Sequence, residues 1–431
     1  MSVSGLLRAD ADRFCARLAA AAIAAVLLAS LAAGCGTQRA GRPTPPAHQI
    51  RGVAFAEPEV SPAPYAAGDL AFGLDLLHLM CMEQPGQNVV LSPTSLATSL
   101  GMAYLGARGT TATAMAAVLH LPHSRRPLAG LHTRSQAMAG LDSPGVTVAT
   151  ADEVWADPKL LPLEGYLNAV ATGYGAGLRQ VPLLSDKGRA ADEIDATVAD
   201  VTRGRIPKLL TAAQLDQALF VLTDAIYLNA AWAAPFSPDD VPHGPFAAPG
   251  GRVQVRYLEG QGYKYAVASG WTAVSLPFRS GSLRMEALLP PLAASGSCAG
   301  PPAAAVRTLG NSLSRDHGPT AAIDLPEVRL STQAIMNDEL TKLGMGIAFT
   351  GSADFSKMSP RDPAIGLVVH DATLQLGPKG TIASAASAVV IVPVDLPLHV
   401  IMFDRPYVLM VTNTRTGEPL FLARVANPSL Q

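Results

Sequence analysis

Lys379-Gly380-Thr381-Ile382-Ala383-Ser384-Ala385-Ala386-Ser387-Ala388-Val389-Val390-Ile391-Val392-Pro393 decides the fold of this chain. After Lys379 it carries no charge until Asp395, and it passes from Gly through small residues into a β-branched run. Gly380 permits backbone angles closed to other residues and can serve as a hinge. Thr381 to Val392 has the composition of a strand buried on both faces. An uncharged apolar element of this length is an aggregation hazard outside a sheet. By itself the stretch reads as a core strand. The sharper reading is a loop built to become a strand later.

The 431 residues are 49% hydrophobic and 15% charged, ample for a sizeable core and inconsistent with disorder. A net charge of -2 without a basic run gives no footprint for nucleic acid. At the N-terminus, Arg8, Arg13 and Arg17 precede an apolar run from Leu18 to Ala33, the pattern of a secretory signal. The run is shorter than the ~20 residues of a spanning helix. Leu31-Ala32-Ala33-Gly34-Cys35 resembles the bacterial lipoprotein cleavage box, with Ala32 where Leu is usual. That resemblance implies lipidation of Cys35, with ordinary secretion or a plain membrane anchor as the alternatives. The expected organisation is a signal over 1–35, a Pro/Ala-rich flexible spacer over 36–65 and one folded domain over 66–431. The protein is expected outside the cytoplasm, as a cell-envelope lipoprotein or secreted, touching membrane only through Cys35.

Of the four cysteines, Cys15 leaves with the signal. Cys81 and Cys298 read as two isolated buried thiols, with a bridge as the alternative in an oxidising compartment. There is no C-x-x-C, and His120 and His123 read as a helix end rather than metal ligands, so no metal and no cofactor is expected.

Apolar residues recur at helical spacing over 67–82. Further helices are expected from Ser92-Pro93 to about Leu105, after Gly109-Thr110, over 166–171, 190–201 and 332–343. Strands are expected over 147–156, 220–228, 253–258, 264–267, 271–278 and 282–289, with a closing hairpin of 406–412 and 420–425. Helices early and strands late make an α+β chain.

Several segments then point to one family. Asn88-Val89-Val90-Leu91-Ser92-Pro93-Thr94-Ser95-Leu96 resembles the entry to the second helix of the serpins, and Leu105-Gly106-Ala107-Arg108-Gly109-Thr110-Thr111 the turn that follows it. Thr202-Arg203-Gly204-Arg205-Ile206 is similar to the family's T-x-G-x-I element. Asp224-Ala225-Ile226-Tyr227-Leu228-Asn229-Ala230-Ala231-Trp232 with Phe236 is similar to its third-strand run. Asp354-Phe355-Ser356-Lys357-Met358, Val369-His370, and the hairpin from Asp404-Arg405-Pro406-Tyr407 to Asn427-Pro428 complete the series in the right order.

The resemblance covers roughly 66–428. It implies a monomeric, metastable fold of three β-sheets and about nine α-helices with an exposed reactive-centre loop. A serine protease cleaves that loop, which then inserts into the main sheet and traps the acyl-enzyme. The implied hinge is Gly380, Thr381, Ala383, Ser384, Ala385, Ala386 and Ser387. Alternation sends Thr381, Ala383, Ala385, Ser387, Val389 and Ile391 to one face. The family's loop spacing puts the reactive bond at Val394-Asp395. Val394 after Pro393 suggests a target of elastase or subtilisin type with a small apolar pocket. Trypsin-like enzymes are disfavoured, because no Lys or Arg lies between Lys379 and Arg405. Ser92 and His370 match the family's shutter, and Trp232 the top of the sheet where insertion begins.

Some positions depart from the family. Pro378 and Ile382 replace usual Glu residues, Asp224 replaces Asn, Asn229 replaces Lys and Thr197 replaces Trp. Pro378 in particular suggests the alternative of a non-inhibitory serpin, a binding or carrier protein, since Pro removes a donor where the hinge must join the sheet. An enzyme is not expected: there is no G-x-S-x-G, H-E-x-x-H, P-loop or dinucleotide fingerprint.

Overall fold

A computed structural model describes residues 48–215, 218–237, 242–361, 363–381 and 399–430. The signal, Cys35, and the loop residues from Ile382 through Ala383, Ser384, Ala385, Ala386, Ser387, Val394 and Asp395 lie outside the described residues.

Three sheets and eight helices make up the described fold, close to the nine helices expected. The first sheet runs β1 (His48–Ile50), β5 (Leu178–Gln180), β4 (Glu153–Ala156), β6 (Phe220–Ala230), β13 (Ile365–Leu376) and β12 (Val328–Ile335). β3 (Val146–Thr150) pairs with the upper half of β6, above β4. The other two sheets share β8 (Gly251–Ala268), which sequence reading divides into two strands. Its first half lies between β7 (His243–Ala248) and β11 (Thr320–Pro326), with β14 (Val400–Met402) beyond. Its end pairs with β9 (Trp271–Pro277), followed by β10 (Leu283–Leu289), β15 (Tyr407–Asn413), β16 (Pro419–Val425) and β2 (Val89–Leu91).

The helices are α1 (Ala63–Glu83), α2 (Pro93–Tyr104), α3 (Gly109–Val118), α4 (Pro127–Ala139), α5 (Glu164–Tyr174), α6 (Lys187–Val201), α7 (Ala303–Leu313) and the short α8 (Asn337–Leu340). Almost every residue of α2 is buried, because it packs between the first sheet and β16. Arg134 of α4 locks this core: buried, it bonds Asp69 of α1 at 2.6 Å and lies 3.6 Å from Glu418, with α2's Thr94 carbonyl as a further acceptor.

Four readings need correction. Thr332–Ile335 is the end of β12 and not part of a helix. Its four residues pair one for one with Ala372 to Val369, and helix begins only at Asn337. The strand expected over 147–156 breaks at residues 151–152 into β3 and β4. Cys81 and Cys298 form a disulfide, with Cα atoms 5.5 Å apart, joining α1 to the loop before α7.

Finally, the folded body takes in 48–65, part of the stretch read as a spacer. β1 adds a strand to β5, and the chain continues across α5 and α4 through Val53 N–H to Asn168 Oδ1 (2.7 Å) and Phe55 N–H to Thr172 Oγ1 (3.0 Å). Gly52 permits this. A Cβ there would lie 2.3 Å from the Asn168 nitrogen. His120 ends α3 with φ 46° and bonds Asp75, and the described residues hold no metal-type cluster.

Candidate functional site: the seam between β6 and β13

β6 and β13 are the central strands of the first sheet, and they pair parallel, from Ile365–Phe220 to Thr373–Tyr227. Parallel pairing is slightly less stable per residue than antiparallel, and a strand of opposite direction entering between them would make both new pairings antiparallel. Beyond Thr373–Tyr227 the strands part: β13 continues to Leu376 and β6 to Ala230 with no pairing between them.

Gly380 and Thr381, the two expected hinge residues that are described, lie in that opening. Gly377 and Gly380 face each other across a tight turn, and Gly380 bridges to Ala231. Thr381 N–H donates to the Ala230 carbonyl at 2.9 Å, and Ala230 N–H donates to Thr381 Oγ1 at 2.7 Å. Thr381 is buried. Gly380 adopts φ 144°, and a Cβ there would stand 2.2 Å from the Ala230 carbonyl oxygen, so only glycine fits.

Trp232 fixes the turn from the other side. Its indole Nε1–H donates to Gly377 O at 2.9 Å, its ring stacks on Phe278 at 4.7 Å, and its backbone N–H reaches Lys379 O. Pro378 sits in the turn itself, where its carbonyl accepts from Phe236 N–H at 2.8 Å. A missing N–H therefore costs no ladder bond at that position.

Lower in the seam, His370 and Asp224 are opposite residues, and Nδ1 of His370 lies 2.6 Å from Asp224 Oδ2 with both side chains fully buried. Neither Asp224 Oδ1 nor His370 Nε2 has a hydrogen-bond partner among the described residues. Two further carboxyls approach. Asp371, on the opposite face of β13 and bonded by Gln333 Nε2, is pushed up to about 6 by burial and, less, by Asp224, against the pull of His370. Burial and the neighbouring Asp224 carboxyl raise Asp152 well above the usual carboxylate range, against the hydrogen bond from Ser95. The Ser92 hydroxyl does not cross the seam; it caps α2 by accepting from Ser95 N–H at 3.3 Å.

Of the residues expected at the site, the structure thus brings Gly380, Thr381 and Trp232 together at the mouth of the seam and puts His370 midway along it. It leaves Ser92 at a helix end. Sequence reading noted Asp224 as a departure without seeing its partner. Only strand register, 146 positions apart, joins it to His370.

The protein is thus an α+β fold whose central sheet is parted at one end, with the continuation of β13 seated in the gap. This chain belongs to the serpin family: the model described as "Serpin (serine protease inhibitor)" matches residues 67–428. Leukocyte elastase inhibitor A of Rattus norvegicus is 28% identical over 375 residues, covering 83% of this chain and 97% of that protein. A serpin-like protein of Thermococcus kodakarensis is 29% identical over 349 residues, covering 79% and 81%. Among solved structures, the native state of the thermophilic serpin tengpin superposes with a TM-score of 0.75 at 22% identity, covering 89% of this chain and all of that one. Human thyroxine-binding globulin gives 0.73 at 22%, covering 86% and 100%.

Proposed function

We propose that this chain is a suicide-substrate inhibitor of serine proteases, which traps the acyl-enzyme by inserting its cleaved loop between β6 and β13. One observation carries the reading: Gly380 and Thr381 are already bonded to Ala230 and Ala231 at the open end of a parallel seam. Insertion needs no new nucleus there, only extension, and each step adds ladder bonds on both sides. The next inward positions, Ala383 and Ala385, are small enough to pass between existing side chains. A dozen residues at ~3.3 Å each carry a tethered protease ~40 Å. The reactive bond in this reading is Val394-Asp395, and the target has a small apolar pocket, in keeping with the elastase inhibitors among the relatives. The protein acts as a consumed inhibitor and not as an enzyme, as an exported monomer anchored through a lipid on Cys35.

A second reading, the non-inhibitory carrier, draws on Pro378 and Ile382. The placement of Pro378 in the turn removes the first objection, so that reading rests on Ile382. The test is to mix the protein with elastase-like, subtilisin-like and trypsin-like proteases and resolve the products in denaturant. A covalent band at the summed mass with an elastase-like or subtilisin-like enzyme, cut at Val394-Asp395 or next to it, is the expected result. Clean cleavage without that band would overturn the inhibitor reading.

A further inference from the structure

Beside Trp232 lies a cavity of about 530 Å3, walled by segments far apart in the sequence: Trp232 and Ala234 beyond β6, β8 at positions 261–264, the facing ends of β9 and β10, and the C-terminal end of α7. Ala234 and Gln261 are exposed, so the cavity opens to solvent on their side. Close-packed interiors leave few spaces of this size. A cleft with an apolar body and a few placed polar groups is the usual form of a small-molecule site.

The chemistry of the walls is one-sided. Among the described residues, none that lines the cavity is acidic, while Lys264 and Arg284 both do. The two cations are not equivalent. Arg284 already has its charge met, with Nη2 lying 2.6 Å from Glu286 Oε1 and Nη1 donating to Ser314 Oγ at 3.0 Å. Lys264 donates to the Arg315 carbonyl at 2.8 Å, a neutral acceptor, and its ammonium keeps two further donors. Tyr265 pairs with Val274 across β8 and β9, so the next step of the ladder sets Lys264 opposite Ser275 on one face. An ammonium and a hydroxyl thus stand together at one side of the cavity, with Leu283, Pro277 and Trp232 making an apolar wall.

We infer that this cavity binds an organic anion, its acidic head at Lys264 and Ser275 and its apolar body against Trp232, Pro277 and Leu283. A neutral occupant would strip water from the Lys264 ammonium and return nothing, which is costly, whereas an anionic head restores the lost bonds with charge-assisted ones. A cationic occupant would meet two positive side chains. The apolar wall gives the rest of the molecule surface to bury. Trp232 is also the residue whose indole N–H holds Gly377 O, so an occupant touches the anchor of the turn that precedes Gly380. Binding should therefore register at that indole.

The test titrates the intact protein with anilinonaphthalene sulfonate, an aromatic anion, and with uncharged anilinonaphthalene. Affinities are measured by calorimetry, and the indole N–H resonances of the three Trp residues are followed by 15N labelling. The sulfonate is expected to bind one to one and at least tenfold more tightly than its uncharged analogue. Lys264→Met should remove that preference, and Ala234→Trp, which fills the cavity from an exposed position, should block both probes. On saturation the Trp232 indole signal should move while that of Trp155 stays. No saturable binding up to about 1 mM, or equal affinity for the two probes in the wild type, would overturn the inference without use of either variant. So would a shift confined to Trp271, which lines a separate, smaller cavity beside Cys298. None of these readouts involves a protease, so the outcome is independent of the inhibitor reading.

Discussion

Replacing Gly380 by Ala tests the hinge most directly. The new Cβ would stand 2.2 Å from the Ala230 carbonyl oxygen and 2.9 Å from Ala231 Cα, both backbone atoms that cannot swing aside. At φ 144° the alanine also carries the strain of a glycine-only backbone region, about 1–3 kcal/mol. The hinge must therefore leave the mouth of the seam and give up its two bonds to Ala230. Those bonds contribute about 0.5–1.5 kcal/mol each, no more than the strain that opposes them, so docking is disfavoured by about 1–3 kcal/mol relative to the wild type. If that state precedes extension, insertion slows by roughly 5-fold to 150-fold. Trapping is a race between insertion and hydrolysis of the acyl bond, so a slowdown of this size turns an inhibitor into a substrate. The assay is the ratio of covalent complex to cleaved free inhibitor when the protein meets an elastase-like protease. An unchanged ratio for Gly380→Ala would refute the claim that the docked hinge nucleates insertion.

Three other outcomes follow from the packing. Replacing both Cys81 and Cys298 by Ser reopens a loop of 217 positions and should lower stability by up to about 5 kcal/mol, read as a lower urea midpoint; an unchanged midpoint would contradict it. Burial raises the folded-state pKa of Asp371 to about 6, above its unfolded value. Its contribution is therefore fully present below about pH 4 and is lost as pH rises through about 6. Asp371→Asn should stabilise the protein at pH 7–8 by up to about 3 kcal/mol and flatten its melting curve against pH between 4 and 6. Gly52→Leu should detach the arm from α5, seen as faster proteolysis within 48–62 at an unchanged reactive-loop cut.

Much of this was legible because local chemistry is written locally. The Ser92-Pro93 helix start and the Asn413–Gly417 turn announce themselves within a few residues. What the sequence hid is what only register or packing creates. Cys81 and Cys298 are joined by the seating of α7 beside α1, which no spacing encodes. Thr332–Ile335 runs almost directly into the helical Asn337–Leu340, and its strand state is imposed by pairing with β13. The Asp224–His370 pair exists only because β6 and β13 run parallel in one particular register. Pro378, read as a donor lost from the sheet, sits in a turn where its carbonyl accepts from Phe236 N–H.

The disulfide also bears on how the molecule comes to exist. Both cysteines precede Thr320, the first residue of β11, so the covalent ring from Cys81 to Cys298 can close before β11–β16 have been synthesised. β6 belongs to that ring; β13 belongs to the open tail that follows. The two strands that flank the seam thus have different histories: one is held in a pre-formed cycle, and the other must find its parallel place beside it afterwards. Whatever delays β13 at that moment leaves the sheet vacant at its centre, for the chain's own small-residue run or for that of a neighbour.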